Sequence, residues 1–177
     1  IAVDRAIDTL NDYKSKILAL NDDVISDVAP SLRGWEGAAS KKYFDIVARF
    51  IPEKYNFKGR TRQPANDPIN CLLNYGYGIL YGRIEGALIK AGVDPYVGIF
   101  HRDDYNRPVL VFDVIELFRV WIDFVCFNLA IQEAIDDDWF SVDQNNAWWL
   151  EQLGKRILIQ SVNDYLDEII NWNALDR

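Results

Sequence analysis

Apolar residues recur at helical spacing along almost the whole chain. Ala6, Ile7, Leu10, Tyr13, Ile17 and Leu18 form one stripe, as an amphipathic helix requires. Asn21-Asp22-Asp23 interrupts it. A second helical stretch is expected over 24–32, with a break near Pro30. A helix over 35–50 then ends ahead of Pro52. Residues 52–64 read as a basic loop. Asp67-Pro68 is a helix start, with Asp as cap and Pro in the first turn. This helix runs to about Ala91, and Gly92 supplies its stop. Residues 94–107 read as a loop or short helical turns. Pro108 opens a long helix that Asp136-Asp137-Asp138 ends. A final helix is expected over 148–170, where Leu150, Leu153, Ile157, Leu158, Val162 and Tyr165 share one spacing. Val109-Leu110-Val111-Phe112 is the one β-like run, and it continues directly into a helical pattern. The pattern predicts an all-α domain without internal repeat, low-complexity tract or flexible linker.

Composition supports a single packed core. The chain has 177 residues, 50% of them hydrophobic, with six Trp and nine Tyr. It opens on Ile and contains no Met, so it reads as an excerpt of a longer protein. Cys71 and Cys126 lie far apart in apolar runs and read as buried free thiols, which suits a reducing, cytoplasmic setting. The longest apolar stretch, 109–131, carries Asp113, Glu116, Arg119 and Asp123 and is no membrane span.

Charge changes the picture locally. The net charge of −8 argues against nucleic acid. Between residues 33 and 62, however, Arg33, Lys41, Lys42, Arg49, Lys54, Lys58, Arg60 and Arg62 face only Glu36, Asp45 and Glu53. The region after Asp113 is acidic.

Candidate chemistry is sparse. His101 is the single histidine, which excludes a two-histidine zinc site or a histidine relay. Any chemistry it supports must enlist carboxylates. Asp113 and Glu116, three apart on one predicted helix, share a face within a very apolar run. A divalent cation would compensate such a pair, and so would Arg119 or an opening to solvent. Glu36 stands among Gly, Trp and Ala, and Glu85 has a similar setting. The chemistry of the residues does not choose between them. There is no Walker loop, HExxH, paired CxxC or Gly-x-Ser-x-Gly, and the glycines of Tyr75-Gly76-Tyr77-Gly78 suit helix packing.

Three segments in order resemble one family. They are Trp35-Glu36-Gly37-Ala38-Ala39-Ser40-Lys41-Lys42-Tyr43-Phe44, then Asn66-Asp67-Pro68-Ile69-Asn70-Cys71-Leu72-Leu73-Asn74-Tyr75-Gly76-Tyr77, then Ala91-Gly92-Val93-Asp94-Pro95-Tyr96-Val97-Gly98-Ile99-Phe100-His101. The run from Asn106 to Arg119 continues the likeness. Together they resemble the CRISPR-associated spacer-acquisition integrase (endonuclease) family, in its multi-helical C-terminal catalytic domain. The resemblance implies that residues 33–177 form this domain, that 1–32 are a linking helical segment, and that the family's N-terminal β-domain is missing from this chain. It also selects Glu36 over Glu85. It implies a metal site of Glu36, His101 and Glu116 with Asp113 as supporting acid, where many members carry Asp in place of Glu116. Mn²⁺ or Mg²⁺ is the implied cofactor. Arg33 and Arg119 match family positions that meet DNA phosphates. The basic segment, including Lys41 and Lys42, is the expected DNA face.

The implied reaction is transesterification, in which a 3′-hydroxyl of spacer DNA attacks a phosphodiester of the CRISPR array. Double-stranded spacer and repeat DNA, a second copy of the chain and a small CRISPR-associated protein are the implied partners. The alternative is a catalytically inactive helical domain that binds DNA or another protein.

Overall fold

The computed structural model describes residues 2–21, 24–61, 63–101 and 106–175. In these residues six α-helices and one two-stranded hairpin occur. The helices are α1 (Ala2–Leu18), α2 (Ile25–Val47), α3 (Pro68–Lys90), α4 (Val109–Ile115), α5 (Arg119–Ile131) and α6 (Gln152–Leu175). The strands β1 (Phe140–Val142) and β2 (Trp148–Leu150) pair antiparallel, Ser141 opposite Trp149. The all-α expectation holds. Among the described residues, no helix is long and apolar enough to cross a membrane.

α3 is the axis of the domain and packs against α4, α5 and α6. Its start is fixed as its sequence requires: the Asp67 carboxylate accepts the Asn70 amide at 2.7 Å, and Pro68 occupies the first turn. Past its end, Gly92 adopts φ +73°, the left-handed conformation of a helix stop. Ile69, Leu72 and Leu73 on α3 meet Ile122 of α5 and Leu158 of α6 in a fully buried core. Gly76 permits the close α3–α5 approach, since a Cβ there would stand 2.5 Å from Ile122 Cγ2. Gly78 has open space instead and serves no such contact. Both cysteines are free and buried.

Three expected boundaries are corrected. No break occurs at Pro30, because α2 runs through it from Ile25 to Val47. Pro30 is exposed while its neighbour Ala29 is buried, and packing along α1 carries the helix past the missing N–H. The long helix after Pro108 is broken over 116–118, where Leu117 and Phe118 donate to Val114 and Ile115 in tight turns. No Gly or Pro marks this break, so tertiary packing sets it. Residues 148–150 are strand rather than helix, tied to Ala65 by the Trp148 amide at 2.9 Å. Within the basic loop, Tyr55 and Phe57 are buried.

Candidate active site

The break between α4 and α5 places the acidic pair on two kinds of backbone. Asp113 lies within α4, whereas Glu116 is the residue that ends it. Asp113 turns toward the loop that carries His101. Its Oδ2 accepts the amides of Ile99 and Phe100 at 2.7 and 2.9 Å. Its Oδ1 accepts the His101 amide at 2.9 Å and meets His101 Nδ1 at 2.6 Å.

The loop can close this tightly because residue 98 is glycine: a Cβ there would collide with the His101 carbonyl. At the loop's beginning, Asp94 accepts the Tyr96 amide, and the Leu110 amide bonds to Pro95 O. The Asp113 side chain is 9% exposed. Burial would push its carboxyl up, but the Phe100 amide, the His101 imidazole and the amides of Ile99 and His101 hold it below the ordinary carboxylate value. An ionised carboxylate only accepts, so Nδ1 carries the proton and Nε2 keeps the lone pair in neutral imidazole. The His101 side chain is 40% exposed, so solvent reaches the ring.

α2 supplies the other side of the site. The Arg33 guanidinium lies 5.4 Å from the centre of the Phe100 ring, which brings this turn of α2 against the histidine loop. Glu36 follows one turn later on the same face and is exposed. Burial pushes the Glu116 carboxyl up, Arg119 opposes the shift, Glu36 adds to it by repulsion, and His101 pulls the other way. Glu36, His101 and Glu116 therefore share one electrostatic field. Among the described residues, no three His, Cys, Asp or Glu side chains stand close enough to hold an ion as they are. Glu85 lies away on α3 beside Tyr81, whose hydroxyl is raised by burial and by the Glu85 charge.

The donor set suits a hard divalent cation. It offers two carboxylates, one of them raised by burial and repulsion, and an imidazole nitrogen oriented by a carboxylate. A cation would relieve the repulsion at Glu116.

The expected basic residues fare differently. Arg119 Nη2 bonds Glu116 Oε1 at 3.0 Å, and its guanidinium lies over the Tyr77 ring at 5.1 Å. Lys41 is exposed and pairs with Asp45 at 2.7 Å, and Lys42 is half-buried beside it. Gly37, Lys41, Lys58 and Arg60 are among the residues lining a cleft of about 600 Å³. Arg62, Asp103 and Asp104 lie outside the described residues.

Sequence reasoning missed a buried polar network behind Glu116. Asp123 is 5% exposed on α5 and accepts the Tyr77 hydroxyl at 2.5 Å. Burial pushes its carboxyl up, against the hydroxyls of Tyr77 and Tyr43 and the charges of Arg60 and Arg119. Asn70, wholly buried, bonds Asp67, the Thr61 amide, Arg60 and Gly59 O. The available signal was an acid in an apolar helix, Asp123, four residues after an arginine.

The family model for CRISPR associated protein Cas1 matches residues 2–164. The chain is 38% identical over 140 residues to the CRISPR-associated endonuclease Cas1 3 of Thermus thermophilus, covering 72% of this chain and 42% of that protein. A CAS1 protein from Thermotoga maritima shares the fold at TM-score 0.81 and 24% identity, over 93% of this chain and 51% of that one. A chain of a partial Cas6-RT-Cas1–Cas2 complex aligns at TM-score 0.79 and 27% identity, over 90% and 48%. The chain thus spans about half the length of the relatives it matches.

Proposed function

Because the chain belongs to the CRISPR-associated Cas1 family, we propose that it is the catalytic part of a divalent-metal-dependent DNA integrase and endonuclease. The observation that carries this reading is the Asp113 cradle, which engages His101 Nδ1 and so leaves Nε2 as the ring nitrogen for a ligand, while Glu36 and His101 both act on the Glu116 carboxyl. Glu36, His101 Nε2 and Glu116 would hold Mn²⁺ or Mg²⁺, whose role when bound is Lewis-acid polarisation of the scissile phosphodiester. Asp113 keeps the imidazole in register for that task. In strand transfer the oxygen of a DNA 3′-hydroxyl bonds to phosphorus, the bond from phosphorus to the departing 3′-oxygen breaks, and that oxygen takes up a proton. No side-chain nucleophile is required, and water in place of the 3′-hydroxyl gives hydrolysis.

Arg33 and Arg119 lie at the site and suit phosphate contacts, and Lys41 and Lys42 further along α2 would extend them, which makes binding weaken with salt. The substrates are double-stranded spacer DNA and repeat DNA, and the place of action is the cytoplasm. A second copy of the chain and a small CRISPR-associated protein complete the assembly. The partner protein is supported by the likeness to a chain of the Cas6-RT-Cas1–Cas2 complex.

Strand transfer by the full-length protein tests the assignment. Glu36→Ala and His101→Ala are each expected to lower the rate by about 100-fold or more, as loss of a ligand removes the metal's transition-state stabilisation. Activity retained in both variants would refute the assignment of these residues. Absence of strand transfer in the wild-type protein would leave the alternative, a catalytically inactive helical DNA-binding or interaction domain, which draws support from the absence of three candidate ligands within reach of one ion among the described residues.

A further inference from the structure

Glu116 ends a helix, and three side-chain torsions separate its carboxylate from the backbone. Its backbone alone therefore does not fix where the carboxylate points, and what the carboxylate touches has to do so. It touches Arg119, Nη2 to Oε1 at 3.0 Å. Arg119 is a long side chain too, and it opens α5 just after the irregular turn at 116–118. The centre of its guanidinium lies over the Tyr77 ring, 5.1 Å from the ring centre. The Tyr77 ring is held in turn from its far end, where the hydroxyl donates to Asp123. A second guanidinium, that of Arg60, lies 5.2 Å from the same ring. It is anchored by Asn70 and Asn74. Asp123 sits one turn beyond Arg119 on the same face of α5.

This arrangement is costly for a purely structural purpose. It buries a carboxylate, whose removal from water costs free energy that a well-packed hydrophobic core would not incur. It also leaves Arg119 Nε buried with no hydrogen-bond partner. What it secures is the direction of one carboxylate.

We propose that Tyr77 is a positioning residue for Glu116: anchored by Asp123, its ring places the Arg119 guanidinium, and Arg119 places the carboxylate. The inference rests on Glu116 being a metal ligand. Tyr43 provides an internal contrast. Its hydroxyl also acts on the Asp123 carboxyl, but among the described residues no guanidinium lies over its ring. A network that only stabilised the core would respond alike to loss of either hydroxyl. A network that aims Glu116 responds to one of them.

Mn²⁺ binding to the full-length protein without DNA, followed by electron paramagnetic resonance of the free ion, separates these cases. Tyr77→Phe keeps charge and ring volume and is expected to weaken Mn²⁺ binding about tenfold, the size of effect seen when a group supporting a ligand is lost. Arg119→Lys keeps the charge and loses the plane, and shifts the same way. Tyr43→Phe leaves Mn²⁺ affinity at the wild-type value while lowering the unfolding temperature. In strand transfer, Tyr77→Phe raises the half-saturating Mn²⁺ concentration, and excess Mn²⁺ restores the rate. Wild-type affinity in both Tyr77→Phe and Arg119→Lys, or equal shifts in the Tyr77 and Tyr43 variants, overturns the proposal. Glu116→Ala, measured alongside, identifies which claim has failed. If it too binds Mn²⁺ like wild type, the metal role of Glu116 falls together with the proposal. If it loses Mn²⁺ while Tyr77→Phe does not, the positioning role alone falls.

Discussion

Asp113 and Asp123 are the same side chain on successive helices, and their surroundings differ in kind. Asp113 meets four N–H groups from one short loop, three from the backbone and one from an imidazole. Those donors outweigh burial and keep its carboxyl low. Asp123 accepts one phenol, Tyr77 of α3, with Tyr43 of α2 also acting on it, and burial keeps its carboxyl high. The first arrangement is local: it ties a loop to the helix that follows it and aims one ring. The second is long-range: it ties α5 to α3 through a neutral donor. A carboxylate's role in this domain is thus set less by its position on a helix than by whether backbone amides or side-chain hydroxyls reach it.

Alanine at each position gives the largest contrast. Asp113→Ala orphans the loop's amides and frees the imidazole, so strand transfer is expected to fall about 100-fold, near the upper end for loss of a group that orients a ligand. Stability falls by only about 1–2 kcal/mol, because the loop can turn its amides to water. Asp123→Ala reverses the order. Breaking a buried polar network costs about 3 kcal/mol, and the activity lost tracks Mn²⁺ concentration. Urea unfolding and strand-transfer rates on both variants check this. Equal losses in both readouts would erase the distinction.

Acid titration separates the two more gently. The folded value of Asp113 lies below the unfolded one, so its contribution to stability is present above about pH 4 and is lost as pH falls through the folded value. Asp123 lies above its unfolded value. It binds its proton earlier as pH falls, and stability from that site declines as pH rises through its folded value. Asp113→Asn should therefore flatten the stability curve below about pH 4, and Asp123→Asn above it. Changes in one shared window would contradict the assignment.

The parts legible in the sequence are those fixed by local chemistry. Asp67-Pro68 and Gly92 bound α3 because a cap, a pre-set φ and a left-handed stop need no tertiary partner. The tight loop before His101 was visible in its Gly and Asp-Pro, although its anchor, Asp113, was legible only as half of an acidic pair. The turn at 116–118 was invisible, since Leu117 and Phe118 suit a helix and only tertiary packing breaks it. The hairpin strand at Trp148–Leu150 was hidden because three apolar residues ahead of a helix look like its first turn. Choosing Glu36 over Glu85 needed the family resemblance. Asp123 was visible only as a charge that spoils a membrane span, because its partners Tyr43 and Tyr77 come from distant segments.

In the proposed site three side chains from α2, the histidine loop and the end of α4 close on one ion. Diffraction from the full-length protein grown with Mn²⁺, recorded at the manganese absorption edge, is the decisive measurement. One anomalous peak is expected, with Glu36, His101 Nε2 and Glu116 each at about 2.1 Å, the distance of a small hard cation to its ligands, and Asp113 still bonded to Nδ1. A peak bound elsewhere, or His101 offering no nitrogen to it, would rule this site out.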